Sequence, residues 1–277
     1  MLTLTHLADE AHAGYHALGN RARPLAGGTL ITNSRYAQVH DANLLVNPTD
    51  QSACAEHVLA QIGGALAPPL RPHVHMGAGA FDALEARLAA DGWDLTMTLE
   101  LVLHDALEGH APAVDLRPAR TEADWAAVAG MFRADHVEEA LRDERLPYPE
   151  VVTGAVVEVK RAKVPAVRVW IARDQGVDCG FVTSWPGGDG VGMVEDLFVV
   201  AEHRRRGIAR ALIHRAVADA RRRGAGPVLI AALVDDTPKD LYRRMGFVPL
   251  LMRRCWTAPL PASRAMAGAA SGRRRPL

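Results

Sequence analysis

The stretch from Val194 to Arg210 constrains this 277-residue chain more than any other. Val194-Glu195-Asp196-Leu197-Phe198-Val199-Val200 is apolar and β-branched around one acidic pair, which predicts a strand. Ala201-Glu202-His203-Arg204-Arg205-Arg206-Gly207 then forms a short basic loop, and Ile208-Ala209-Arg210 opens an Ala/Leu/Ile helix. A strand, a glycine-bearing basic loop and a helix start in that order make an anion cradle. The free amides of the first helical turn carry the positive end of the helix dipole, and glycine permits close backbone approach. Phosphate groups suit such a place.

The predicted helix places Ile208, Ala209, Leu212, Ile213, Ala216, Val217 and Ala220 on one stripe, with Arg210, His214, Asp219 and Arg222 opposite. It should dock on a sheet by the apolar stripe. Arg221-Arg222-Arg223 suits the negative end of its dipole, and Gly224 or Gly226 can stop it. Pro227 to Leu233 is an apolar run and predicts a buried strand. Thr237-Pro238 predicts a further helix start, with Thr237 as N-cap, and Gly246 ends that helix before a strand running to Trp256.

At these residues the chain resembles the GNAT superfamily of acyl-CoA-dependent N-acetyltransferases. The pyrophosphate-loop pattern of that family is Arg or Gln, two residues, Gly, one residue, Gly or Ala; here it reads Arg204, Arg205-Arg206, Gly207, Ile208, Ala209. Leu241-Tyr242-Arg243-Arg244-Met245-Gly246-Phe247 is similar to the family's second signature, whose tyrosine sits near the sulfur of coenzyme A. The resemblance implies acetyl-CoA as co-substrate and direct transfer of its acetyl group to a primary amine. It implies that Tyr242 is the general acid for the departing thiolate and Glu195 the base for the amine. Leu197, Phe198 and Val199 would offer backbone groups to the pantetheine, and Arg204, Arg205, Arg206, Gly207, Ile208, Ala209 and Arg210 would hold the pyrophosphate. Asp235 stands where many relatives have a cofactor-contacting asparagine. Asp196, on the opposite strand face from Glu195, is either an amine contact or a structural anchor. Tyr148, in the Pro147-Tyr148-Pro149 loop, is placed at the acceptor.

The expected fold is α/β, a mixed sheet, in two tandem GNAT-like units. Residues 113 to 256 follow the GNAT order. Val114 to Pro118 is a first strand, Thr121 caps a helix, residues 135 to 163 are helical around the Pro147 break, and Val167 to Ala172 pairs with Val177 to Trp185. An upstream copy is degenerate. Asp41 to Val46 answers Glu195 to Val199, and Ala83 to Trp93 with Leu95 to Leu103 answers Lys239 to Trp256. The copy has Gln51-Ser52-Ala53-Cys54-Ala55-Glu56 in place of the arginine-glycine loop and Leu88 in place of Tyr242. Neither cation nor glycine is available there for a phosphate. Residues 1–110 are therefore read as a unit without the chemistry, 111–259 as the catalytic unit, and 260–277 as a disordered tail.

Composition excludes several function classes. Thirty-two basic and 32 acidic residues cancel, so no global field favours nucleic acid or an anionic membrane. Only three basic residues, Lys160, Lys163 and Lys239, are lysine, a bias that argues against giving every arginine cluster a function. Cys54, Cys179 and Cys255 are widely spaced, as in a reduced cytoplasmic protein. No stretch has the ~18 apolar residues of a membrane span. His73 and His75 share a strand face, but two ligands fall short of a metal site, and no metal is expected. The expected partner is a small-molecule amine; a peptide amine or a non-catalytic CoA-sensing role are the alternatives, and a homodimer is compatible with each.

Overall fold

The computed structural model describes residues 3–48, 55–66, 71–79 and 82–259. The first half runs α1 (Leu4–Ala17), β1 (Arg21–Leu25), β2 (Gly28–Thr32), β3 (Leu44–Val46), α2 (Ala55–Ala65), β4 (His73–Met76), α3 (Asp82–Ala90) and β5 (Asp94–Leu103). The second runs β6 (Asp115–Pro118), α4 (Glu122–Arg142), α5 (Glu150–Ala162), β7 (Arg168–Asp174), β8 (Val177–Trp185), β9 (Gly192–Val199), α6 (Ile208–Arg222), β10 (Val228–Leu233), α7 (Pro238–Arg243) and β11 (Val248–Thr257). The α/β reading holds. In each half an antiparallel hairpin leads into a strand, a helix and a parallel strand: β3 pairs in parallel with β4, and β9 with β10.

The two halves share one 11-stranded sheet in the order β1-β2-β3-β4-β11-β5-β10-β9-β8-β7-β6. Each half therefore completes the other. The last strand of the first half, β5, lies beside β10 of the second, and the last strand of the second, β11, lies beside β4 of the first. A boundary near residue 110 does not separate two sheets, because β5 of the first half lies between β10 and β11 of the second.

Three polar groups lock the exchanged strands. Arg253 on β11, 2% exposed, donates to Glu100 on β5 at 2.8 and 3.1 Å and to Asp9 on α1 at 3.0 Å. Burial raises the Glu100 pKa, and Arg253 opposes that rise.

Helix α6 presses Ile208, Leu212, Ile213, Ala216 and Val217 onto one face of the sheet, against Val194, Val199 and Val228. Helices α4 and α5 cover the other face, and α1 lies on that same side. Helix α4 is capped as its sequence predicts, with Thr121 and Asp124 bonding reciprocally to each other's backbone. At the start of α7 the expected side-chain cap is missing: Thr237 is itself helical and makes no capping bond, leaving Pro238 as the start signal.

One expectation about α6 is overturned and another is widened. Asp219 is fully buried, accepting from Ser184 at 2.7 Å and Arg168 at 2.6 Å, because neighbouring strands supply donors that its helix position alone does not reveal. The Arg221-Arg222-Arg223 triplet serves other elements more than its own helix end. Arg221 donates to the carbonyls of His104 and Asp105 beyond β5, and Arg223 to those of Pro165 and Ala166 before β7. Among the described residues no helix is long and apolar enough to cross a membrane. The Gln51 to Cys54 part of the missing phosphate loop and the 260–277 tail lie outside the described residues.

Candidate active site

Pairing between the parallel strands β9 and β10 is confined to Gly192–Val194 against Val228–Ile230. Both strands run on past that point and diverge. The β9 backbone from Glu195 onward is thereby left without a β10 partner, free to bond a ligand lying in the gap. A cleft of about 640 Å³ opens there, lined by Leu197, Phe198 and Val199, by the loop into α6, and by Tyr242 on α7.

The loop has the conformation that an anion site requires. Arg205 and Gly207 both have positive φ, 60° and 82°, and Gly207 is the N-cap of α6 with no side-chain cap to occupy the first-turn amides. Alternating left-handed residues turn successive N–H groups toward one point. Glycine is also required by the protein itself, since φ is 82° there. A Cβ at Gly207 would meet Pro112 Cγ at 2.8 Å, so the space it spares is taken by the linker from the first half.

The arginines divide by task. Arg204 donates to the Val199 carbonyl at 2.8 Å and forks onto Glu138 of α4, which fixes the loop against the cleft wall. Arg206 pairs with Asp174 at 2.9 Å and does not line the cleft. Arg205 lines it and has no ion pair among the described residues. Arg210 also lines it and bonds the Glu108 carbonyl at 3.1 Å. Gly207, Ile208 and Ala209 complete that wall, whereas Asp236, not Asp235, is the aspartate that lines it.

Tyr242 lies in the α6 core cluster, 4% exposed, with Phe247 at 6.2 Å between ring centroids. Its hydroxyl has no protein partner among the described residues. Burial raises its pKa, and the negative charges of Glu195 and Asp236 raise it further, so the phenol keeps its proton throughout the physiological range.

A bulge changes the geometry of the acidic pair. Thr183 pairs with Glu195 and Phe181 with Phe198, so Asp196 and Leu197 together face a single β8 residue, and Asp196 adopts φ 55°. The simple alternation that would put Glu195 and Asp196 on opposite faces is lost. Asp196 turns to the α1 side and accepts from Thr183 Oγ1 at 2.9 Å and Tyr15 OH at 3.2 Å, with Lys160 Nζ at 2.7 Å. These three partners favour the anchor reading of Asp196.

Glu195 keeps a partly exposed side chain, and burial of its carboxyl followed by repulsion from Asp196 pushes its pKa up to about 8. That value suits a base working near neutrality. Lys160 limits the rise.

A second cavity, about 270 Å³, is lined by a neighbouring stripe of α4 that carries Phe132, His136 and Glu139. The first half supplies one wall, including His40 and Asp41, and the second supplies Glu139, Tyr148, Lys160 and Asp196. Tyr148 lines that cavity, with the His136 ring at 5.4 Å and Arg145 over its own ring.

Sequence reasoning missed Asp135. It lines the cleft from α4, and burial together with the charges of Glu139 and Glu138 pushes its pKa up to about 7. The spacing Asp135, Glu138, Glu139 is a one-face acidic cluster that could have marked it.

These features define a fold class. A strand pair splayed over a left-handed phosphate-type loop, closed by a tyrosine helix, is the GNAT arrangement. Residues 165–249 match the family model of the acetyltransferase (GNAT) domain. No curated protein matches the chain in sequence. Among solved structures, a GCN5-related N-acetyltransferase from Kribbella flavida superposes with TM-score 0.67 at 17% identity, covering 96% of this chain and 99% of that one. A conserved protein of unknown function from Staphylococcus epidermidis gives 0.63 at 12% identity, covering 87% and 94%. A tandem GNAT protein from the clavulanic acid biosynthesis pathway gives 0.53 at 16% identity, covering 79% and 73%. Residues 165–249 are thus a GNAT domain by that match, and the chain has the fold of tandem GNAT proteins.

Proposed function

We propose that this protein is a cytoplasmic N-acetyltransferase that moves the acetyl group of acetyl-CoA to the primary amine of a small cationic molecule within a ternary complex. One observation carries the reading most strongly: α4 lines both the cleft with the amide-rich loop and Tyr242 and a second cavity bearing Asp41, Glu139 and Asp196, three carboxylates against the two cations Lys160 and Arg145. A net negative chamber suits an ammonium group. First-half residues His40 and Asp41 form part of its wall, which favours a small amine over a protein acceptor.

The chemistry follows from what each side of the bond requires. An alkylammonium, with a pKa near ~10.4, must lose a proton before its nitrogen can attack. Glu195 takes that proton, directly or through one water. The nitrogen lone pair then forms a bond to the thioester carbon, and the oxyanion meets free β9 amides around Leu197. Collapse breaks the carbon–sulfur bond, Tyr242 hands its proton to the thiolate, and the second proton of the former amine, released as the neutral amide forms, passes through water to reprotonate the Tyr242 phenolate. In this scheme the first half contributes no chemistry and acts as acceptor wall.

Initial rates of CoA release with a panel of amines test the proposal. Intersecting double-reciprocal plots and a preference for dicationic over neutral amines are expected. No turnover with any amine, alongside intact acetyl-CoA binding, would favour the sensing role. Tyr148→Ala should raise the amine KM several-fold, about 1 kcal/mol or more of lost contact, and leave acetyl-CoA affinity unchanged.

The pH profile gives a separate check on Glu195. Because its folded pKa is about 8, kcat/KM for the amine should rise through about pH 8 and flatten above. Glu195→Gln should remove that inflection. Stability carries the same signature with its own sign. A carboxyl whose pKa rises from 4.5 to about 8 on folding binds its proton more tightly when folded, so stability falls as pH rises across that window. The melting temperature of Glu195→Gln should therefore gain on wild type between pH 5 and 8, and parallel curves would assign the inflection to another group.

A further inference from the structure

Three imidazoles that the acetyl-transfer scheme does not use converge where α1 crosses β4. His12 and His16 lie one turn apart on α1, and His75 lies on the β4 face turned toward that helix. One ring nitrogen from each falls within 4.8 Å of the others. His12 Nε2 and His75 Nδ1 are 3.0 Å apart. His73, on the same strand face as His75, takes no part in the cluster: it stacks on His40 at 3.9 Å and bonds Thr257. We propose that His12, His16 and His75 form a binding site for one divalent transition-metal ion of the zinc class, with water completing a four-coordinate shell.

Four observations support this assignment. Donor type comes first: imidazole suits zinc and its transition-metal neighbours and is a poor ligand for calcium or magnesium. Spacing comes second. Zinc–nitrogen bonds of ~2.0–2.1 Å in a tetrahedron set ligand nitrogens roughly 3.3 Å apart, so the cluster needs only small side-chain adjustments. Orientation is the third. His16 Nδ1 sits 3.0 Å from the Asp41 carbonyl, which can only accept, so Nδ1 carries the proton and Nε2 presents its lone pair. That outer bond is the kind that orients metal-binding histidines.

The fourth is charge. The nearby Arg253 cation is compensated, held between Glu100 and Asp9. Asp41 adds a negative charge that His16 and His75 both feel. Occupancy would pin α1 to β4 beside Asp41, a wall of the second cavity.

Untagged full-length protein, stripped with chelator, should be titrated with zinc chloride by calorimetry and with cobalt chloride by visible absorption. One equivalent of zinc and the intense d–d bands of four-coordinate cobalt are expected. His16→Gln and His75→Gln should each weaken zinc by more than the roughly 10 to 100-fold that loss of an outer-shell partner costs. His104→Gln, at a histidine away from the cluster, should leave it unchanged. Acetyl-CoA binding and circular dichroism of each variant report whether the fold is kept. Zinc should also raise the melting temperature of the half-exposed His12 wild type and not of His12→Gln. Absence of stoichiometric binding, or binding that survives both His16→Gln and His75→Gln, would overturn the assignment.

Discussion

Tyr242→Phe should lower kcat by ~10 to 10⁴-fold while acetyl-CoA affinity changes little. The substitution removes one hydroxyl from a residue whose ring is otherwise held by the α6 core and by Phe247. Packing therefore survives. The hydroxyl has no protein partner among the described residues, so its loss leaves no orphaned protein donor or acceptor, and stability should move by less than about 1 kcal/mol. What disappears is the proton that buffered the departing thiolate, and the raised Tyr242 pKa keeps that proton available. Stopped-flow detection of CoA thiol together with calorimetry of acetyl-CoA separates the two effects. Unchanged turnover would reduce Tyr242 to a packing residue, and a parallel fall in affinity would move its role from the leaving group to the cofactor.

Arg253→Met should cost about 3–5 kcal/mol, the range for removing one partner of a buried ion pair. Nearly all of that arises from what is left behind: Glu100, 3% exposed, and Asp9 lose the cation between them. The loss falls where the exchanged strands β5 and β11 meet α1, so it loosens both halves at once. A drop in melting temperature on the order of 10 °C is expected at neutral pH. The defect should shrink in acid, because a protonated Glu100 no longer needs a counter-charge, and its pKa is already raised. Adding Glu100→Leu to Arg253→Met should recover much of the loss, since an apolar pair of similar volume can replace a buried ion pair. A loss of under 1 kcal/mol in the single variant would mean that water reaches the site.

The parts of this molecule that were legible in its sequence are those whose physics is local. The arginine-glycine loop, the apolar stripe of α6, the capping box at Thr121 and the Val177–Trp185 strand each follow from neighbours within a few residues. The strand exchange does not. Nothing in Asp94–Leu103 or Val248–Thr257 says which parallel strand each will join, because either choice buries the same apolar face. The Asp196 bulge was hidden for a related reason: the left-handed position carries aspartate and not glycine, and three partners from α1, α5 and β8 hold it there. Asp219 looked solvent-facing by helical spacing, yet Ser184 and Arg168 come to it from two strands. Likewise His12 and His16 show their spacing in the sequence, whereas His75 joins them only through the packing of α1 on β4.

Under the proposed function, one acetyl-CoA binds per chain, in the gap between β9 and β10, with its pyrophosphate on the loop into α6. Isothermal titration of the full-length protein with acetyl-CoA, for wild type and Gly207→Val, tests it directly. Valine at that position meets Pro112 and must hold φ near 82°, a backbone region that β-branched residues avoid, so the loop opens and its amides lose their common focus. Wild type should bind with a stoichiometry near one, and Gly207→Val should bind at least ~10-fold more weakly while its melting temperature stays within a few degrees. A stoichiometry near two, no binding by wild type, or equal affinity in a folded Gly207→Val would contradict the account.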